Sequence, residues 1–219
     1  MKTLAGIPAI YNADLLADCH QSLLHNGVDC LFIDNNAEGG VKEYLKDYNR
    51  IVNKTNMYVN HAWNQIMSYF LDDGSYDCLL IVNSDIVVCH WLREWLATGF
   101  DDAVYNIPYI NPVRQMKRTQ QPRFETKDGH VPGVCIALSR EQVAQVYPIP
   151  PAIKLWFGDT WITQALKASY RLMIDYDFQV YHVKGGSRSL LLLDEACAII
   201  EQDKIEWAKL MTQQIQANQ

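Results

Sequence analysis

The chain has no paired cysteines, no long apolar run and no excess of positive charge, and each lack removes a class of protein. Cys19, Cys30, Cys78, Cys89, Cys135 and Cys197 form no CxxC and no paired spacing, which speaks against a zinc ribbon and a disulfide framework. Cys30, Cys78, Cys89 and Cys135 sit among strand-like apolar neighbours and read as reduced, buried small hydrophobes. That state points to a cytoplasmic protein. Apolar runs such as 31–33, 79–82, 86–89 and 190–193 fall far short of the roughly 18 residues a membrane span needs. Residues 1–8 lack the apolar core of a secretory signal. With 19 Lys and Arg against 25 Asp and Glu, the net charge is −6, unsuited to a surface that holds polyanions broadly. No repeat, low-complexity tract or linker divides the sequence.

What is present is an ordinary globular composition, 49% apolar and 20% charged over 219 residues, enough to bury a core as a single domain spanning 1–219. The first half alternates strand and helix patterns. Strands are expected at 4–10, 28–33, 50–53 and 78–82, and helices at 14–25, 41–48, 59–71 and 90–96, with Asn12 or Asp14 as the first cap. Such alternation marks βαβ units, hence an α/β fold with a mainly parallel sheet flanked by helices. In such sheets ligands bind beyond the carboxyl ends of the strands. Polar clusters stand at these ends: Tyr11 and Asn12; Asp34, Asn35 and Asn36; Asn83, Ser84 and Asp85.

The second half is less regular, with strands expected at 104–110 and 134–138, helices at 141–146 and 160–169, and a strand pair across 171–183. The polar segment 111–131 holds Arg114, Lys117, Arg118, Arg123 and Lys127, diluted by Glu125 and Asp128. It reads either as a solvated loop or as a loop for an anionic acceptor, without the aromatic series that base stacking uses. The segment 190–214 is helical in pattern, with Ile199, Ile200, Ile205, Trp207 and Leu210 among acidic partners. It is expected to pack or to form a homodimer rather than to bind a membrane.

Taken in order, several of these clusters resemble the family 2-like glycosyltransferases with the Rossmann-like GT-A fold. Ile7, Pro8, Ala9, Ile10, Tyr11 and Asn12 look like that family's first strand, and Asp34, Asn35 and Asn36 like the end of its second. Asn56, Ala62 and Asn64 match a spaced N…A.N pattern, with Tyr58 and Ile66 where the family has glycines. The run 79–85, ending Asn83, Ser84 and Asp85, resembles a variant of the metal-binding DxD motif. The run 133–141, from Gly133 to Arg140 and Glu141, is similar to the acceptor-side strand. Phe157, Gly158, Asp159 and Thr160 resemble the F-E-D-x-D element, and His182 with Gly185, Gly186 and Ser187 the late H-x-x-G-x-S. The match covers roughly 4–190. Gly158 and Trp161 replace the acidic residues flanking the catalytic aspartate, and Asn83 replaces the first aspartate of DxD.

The resemblance implies transfer of a sugar from a nucleotide-sugar, a UDP-sugar by preference, to an acceptor hydroxyl. It implies a nucleotide-sugar-binding half over 1–100, an acceptor and catalytic half over 101–190 and a C-terminal helix over 191–219. A hard divalent cation, Mn²⁺ or Mg²⁺, would neutralise the diphosphate, with Asp85 and His182 as protein ligands and substrate oxygens completing its shell. Asp159, at the start of an expected helix, would be the general base of an inverting displacement. Pro8, Ala9, Tyr11, Asn12, Asp34, Asn64, Asn83, Ser84 and Asp85 would contact the donor, an aspartate suiting a uracil N–H. Arg114, Lys117, Arg118 and Trp156 are the candidate acceptor residues, for a glycan, a lipid-linked sugar or a modified nucleic acid. Two alternatives stay open: a sugar-1-phosphate nucleotidyltransferase, whose Gly-rich, Arg-containing phosphate loop the run 9–12 does not resemble, and an inactive binding module keeping the fold.

Overall fold

Three short, largely buried runs form the parallel part of the sheet. In the computed structural model, which describes residues 1–36, 40–118, 123–125, 133–183 and 193–217, these runs are β1 (Thr3–Ala9), β2 (Asp29–Asp34) and β4 (Cys78–Val82). β2 and β4 both pair with β1 in parallel, and β3 (Arg50–Val52) extends β2 in parallel. The connections are α1 (Ala13–Leu24), the short α2 (Lys42–Leu45) and α3 (Tyr58–Asp72). The parallel architecture expected of the first half is thus present.

Beyond β4 the sheet becomes mixed. β5 (Ile86–Val88) and α4 (Leu92–Thr98) lead to β6 (Val104–Asn111), β7 (Phe124–Glu125), β8 (Cys135–Ser139) and α5 (Arg140–Val146). α6 (Gly158–Leu166), β9 (Arg171–His182) and α7 (Leu193–Ala217) complete the chain. Among the described residues nine strands form one sheet in the order β3-β2-β1-β4-β8-β6-β9-β5, with β7 paired to β9. β8 runs antiparallel to β4, so its first residues lie beside the carboxyl end of β4.

The segment 171–183 was expected as a strand pair, and it is one strand. Its ladder with β6 slips between Pro108, opposite Asp175, and Tyr109, opposite Gln179. The slip breaks the two-residue alternation that a continuous strand shows, and in sequence such a break looks like a turn. The surplus residues are used: Phe178 stacks on Trp95 at 4.4 Å between ring centroids, and the Asp177 carbonyl accepts the Trp91 indole N–H at 2.6 Å.

Two apolar layers flank the sheet. α1 and α4 bury Leu16, Cys19, Leu23, Leu92 and Trp95 on one face; α3, α5 and α6 bury Trp63, Ile66, Phe70, Val143 and Ile162 on the other. Gly6 lets α3 lie directly on β1, because a Cβ there would stand 2.1 Å from the Ile66 side chain. Asn12 caps α1 by accepting the Leu15 N–H at 3.1 Å, and Ser139 with Gln142 makes a capping box on α5. All six cysteines are free. Burial pushes the Cys30 thiol up to about 12 and that of Cys89 to about 11. Among the described residues no helix is long and apolar enough to cross a membrane.

Candidate active site

Backbone bonds continue the ladders past the carboxyl ends of β1, β2 and β4. The Asn35 N–H donates to the Ala9 carbonyl at 2.8 Å, the Asn53 N–H to Asp34 at 2.8 Å and the Asn83 N–H to Val134 at 2.9 Å. Over this shelf lies a pocket of about 240 Å³, slightly below the roughly 300–1,000 Å³ of sites that enclose a whole drug-sized ligand. Pro8, Ala9, Ile10, Asn35, Asn83 and Ser84 line its strand side. Tyr58, Trp156, Ala196 and Ile200 are among the residues that close it from the helix side. Of the sequence-derived donor residues, Pro8, Ala9, Asn83 and Ser84 therefore line the pocket.

The remaining donor candidates sit elsewhere. Asp34 is fully buried beneath the shelf, with the Arg50 guanidinium 3.6 Å from its Oδ2 and the Asn36 N–H 3.4 Å from its Oδ1. The Asn12 side chain is spent on the α1 cap, and Tyr11 is half-buried at the same strand end. Asn64 is bound at both ends of its amide to the Ile149 backbone, donating and accepting at 2.8 Å, so it braces α3 against the segment after α5.

Asp85 and His182, far apart in sequence, meet because β5 and β9 pair with Ile86 opposite His182. The Val183 N–H donates to the Asp85 carbonyl at 3.0 Å, and His182 Nε2 lies 3.4 Å from Asp85 Oδ1. Asp85 is buried and His182 half-buried. Among the described residues no group of three or more His, Cys, Asp or Glu side chains could hold a metal ion; Asp85 and His182 make a carboxylate–imidazole pair. Its donor separation suits two neighbouring ligands of one cation, and Mg²⁺ or Mn²⁺ ordinarily takes its other oxygens from substrate phosphates and water. Gly185, Gly186 and Ser187 of the expected late motif lie outside the described residues, as do Lys127 and Asp128.

Asp159 stands in the first turn of α6. Its Oδ2 accepts the Gly133 N–H at 3.1 Å and its Oδ1 the Thr160 N–H at 2.7 Å. Gly133 directly precedes Val134, whose carbonyl holds Asn83, so one residue step links the Asp159 carboxylate to the turn bearing Asp85. The absence of an acid at 158 has a steric cause. A Cβ on Gly158 would stand 2.1 Å from Asn60 Oδ1 and 3.0 Å from the Trp63 ring.

Three features of this site escaped the sequence. Asp203 of α7, fully buried, accepts the backbone N–H groups of Lys154 at 2.9 Å and of Leu155 and Trp156 at 2.7 Å. Asn60 of α3 donates its amide to the carbonyls of Ile153 at 3.2 Å and Trp156 at 2.9 Å. The N-terminal turns of α7 supply Ala196 and Ile200 to the pocket, and Glu195 accepts the Tyr58 hydroxyl at 3.0 Å. The spaced polar residues of 193–217 carried no local signal for such roles.

The acceptor candidates divide. Trp156, 42% exposed, lines the pocket. Arg114 pairs with Asp18 of α1 at 2.7 Å and Arg118 with Glu94 of α4 at 2.8 Å. Lys117 is exposed, and its backbone carbonyl accepts from Gln179. Arg123 is bound at 2.7 Å to the buried Asp175, which also accepts the Trp95 indole N–H at 2.7 Å. None of these four basic residues is among those lining the pocket.

Neither a family model nor a curated protein matches this sequence. Solved structures share its fold. A crystal structure of GalNAc-T7 with UDP, GalNAc and Mn²⁺ superposes with a TM-score of 0.63 at 11% identity, covering 91% of this chain and 48% of that one. S. aureus TarS 1–349 gives 0.62 at 15% identity over 84% of this chain and 61% of that one. The same fragment in complex with UDP-GlcNAc gives 0.60 at 14% identity over 87% and 61%. The chain has the GT-A fold that the sequence motifs implied, and it spans between 48% and 61% of the length of these chains.

Proposed function

We propose that this protein transfers a sugar from a nucleotide-sugar, with UDP as the carrier, to an acceptor hydroxyl. The observation that carries the reading is the pocket over the carboxyl ends of β1, β2 and β4, with the Asp85–His182 pair directly after its lining residue Ser84 and Asp159 tied to the neighbouring Gly133. The neighbours of this fold crystallised with UDP or UDP-GlcNAc support the choice of donor.

Asn83 and Ser84 face the nucleotide from the end of β4, and Asn35 and Pro8 frame it from β2 and β1. Asp85 and His182 would hold a divalent cation. When bound, it supplies positive charge to the diphosphate leaving group. Asp159 takes the proton of the acceptor hydroxyl, and that oxygen attacks the anomeric carbon as the bond to the diphosphate breaks, so configuration inverts. The Gly133 and Thr160 amides fix the carboxylate of Asp159 for this task. Trp156 offers an exposed ring at the pocket rim for a sugar face.

The test is release of free nucleotide from a panel of nucleotide-sugars with Mn²⁺ and with Mg²⁺, comparing wild type, Asp85→Ala and Asp159→Asn with and without candidate acceptors. UDP release lost in both variants is the expected result. Full activity in Asp159→Asn would remove the assigned base. Conversion of the nucleotide-sugar and added pyrophosphate to the nucleoside triphosphate and sugar 1-phosphate would assign the nucleotidyltransferase alternative instead.

A further inference from the structure

Tyr58 lines the pocket from a backbone conformation that a side chain disfavours. Its φ is +63°, the left-handed region in which glycine is at ease and an aromatic residue is strained. The strain is held from several sides. The Tyr58 N–H donates to Asn56 Oδ1 at 2.9 Å, and its carbonyl accepts from Asn35 Nδ2 at 3.2 Å. Asn35 is in turn fixed by the Met57 N–H at 3.3 Å and the Asn53 amide at 2.8 Å.

Every bond in that network is made by the Tyr58 backbone or by its neighbours, so glycine would satisfy it at least as well. The side chain has other work. Its hydroxyl donates to Glu195 at the start of α7, the Lys154 ammonium stands 5.9 Å from its ring centroid, and the residue lines the pocket. One exposed hydrogen bond and one contact with an exposed lysine contribute little to stability and do not by themselves account for a strained aromatic residue. The pocket it lines holds the aliphatic residues Val59, Leu155 and Ile200 together with the polar Asn35, Asn56 and Asn83. Apolar faces with amide edges match a planar base whose rim carries hydrogen-bonding groups.

We propose that Tyr58 is a donor-contacting, specificity-setting residue: its ring is the platform on which the nucleobase of the donor stacks, and the left-handed backbone at 58 is kept to present it. This rests on the nucleotide-sugar reading above and adds to it a residue whose contribution to binding opposes its contribution to stability.

The opposition makes the proposal testable without any acceptor. Wild type, Tyr58→Gly, Tyr58→Ala and Tyr58→Phe are compared by thermal melting and by calorimetric titration with UDP, CDP, GDP and ADP in the presence of Mn²⁺. Tyr58→Gly is expected to melt no lower than wild type, since the strain is relieved, yet to bind UDP about tenfold or more weakly, in the range that base–aromatic stacking supplies. Tyr58→Ala, which keeps the strain, is expected to lose the same affinity and to melt below Tyr58→Gly. Tyr58→Phe keeps the ring and should bind UDP within about twofold of wild type. UDP affinity in Tyr58→Gly within about twofold of wild type would overturn the proposal, as would a loss of affinity that appears only where melting has also fallen. If wild type binds none of the four nucleotides, the nucleotide-sugar reading itself fails. Binding that ignores the residue at 58 leaves that reading standing and removes this one alone.

Discussion

Asn60 and Asp203 grip the same stretch of chain from opposite sides. The backbone N–H groups of Lys154, Leu155 and Trp156 all converge on the Asp203 carboxylate, and the carbonyls of Ile153 and Trp156 both accept from the Asn60 amide. The Asn60 N–H donates to the Lys154 carbonyl at 3.0 Å. A segment without secondary structure thereby has most of its backbone polar groups paired. It leads directly through Phe157, itself left-handed at φ +63° and stacked on Trp207, into the turn that bears Asp159.

Replacing Asp203 should therefore act on both stability and catalysis. Asp203→Ala leaves three part-buried amides without their acceptor and is expected to cost about 2–3 kcal/mol in denaturant unfolding. Asp203→Asn keeps the volume and one acceptor oxygen and should cost less. If turnover in Asp203→Asn falls while UDP binding holds, the loop is setting Asp159 rather than merely closing the fold.

Crowding around Gly158 predicts that restoring an acid there is harmful. Gly158→Ala is expected to destabilise by about 1–3 kcal/mol through overpacking against Asn60 and Trp63, and Gly158→Asp by more. Gly74→Ala, at a glycine where a Cβ meets nothing within 4 Å, should stay within ~0.5 kcal/mol. Melting temperatures of the three variants decide it.

The basic segment should behave unevenly under alanine substitution. Arg123→Ala strips the buried Asp175 of its charged partner and is expected to cost about 3 kcal/mol. Arg114→Ala and Arg118→Ala break exposed pairs worth roughly 0–1 kcal/mol. Equal losses at all three positions would contradict the burial difference between Asp175 and the two exposed acids.

Acid sensitivity should trace in part to His20. Its ring is buried against Phe32 and Tyr48, with Nδ1 2.9 Å from the Tyr44 hydroxyl. Burial lowers its pKa below the ordinary 6.5. The unfolded chain then binds the proton more readily, so stability is full above about pH 6.5 and declines as pH falls through the window below it. Melting followed from pH 8 to pH 5 should show a steeper acid decline in wild type than in His20→Gln.

The sequence was most informative where structure is local. Apolar runs ending in Asp34, Asn35 and Asn36, or in Asn83, Ser84 and Asp85, announce parallel strands and their ligand-facing ends, because strand and turn chemistry act over a few residues. The Asp85–His182 pair was reached through motif resemblance, since the β5–β9 pairing that joins them spans nearly a hundred residues. Asp203, Asn60 and Glu195 left no mark, because a buried carboxylate on a long polar helix looks like any solvated charge until its distant partners are known. Likewise Arg114 looks free in sequence, as its partner Asp18 lies 96 residues away.

The slip in β9 has a bearing on how this fold tolerates change. One step along β6, from Pro108 to Tyr109, is matched by the span from Asp175 to Gln179. Were the ladder continuous, His182 would stand about 10 Å further along and on the opposite face of the sheet, out of reach of Asp85. The slip works as an expansion joint. Its three surplus residues, which include the anchors of the α4 tryptophans, take up the extra length, and the histidine stands beside the aspartate.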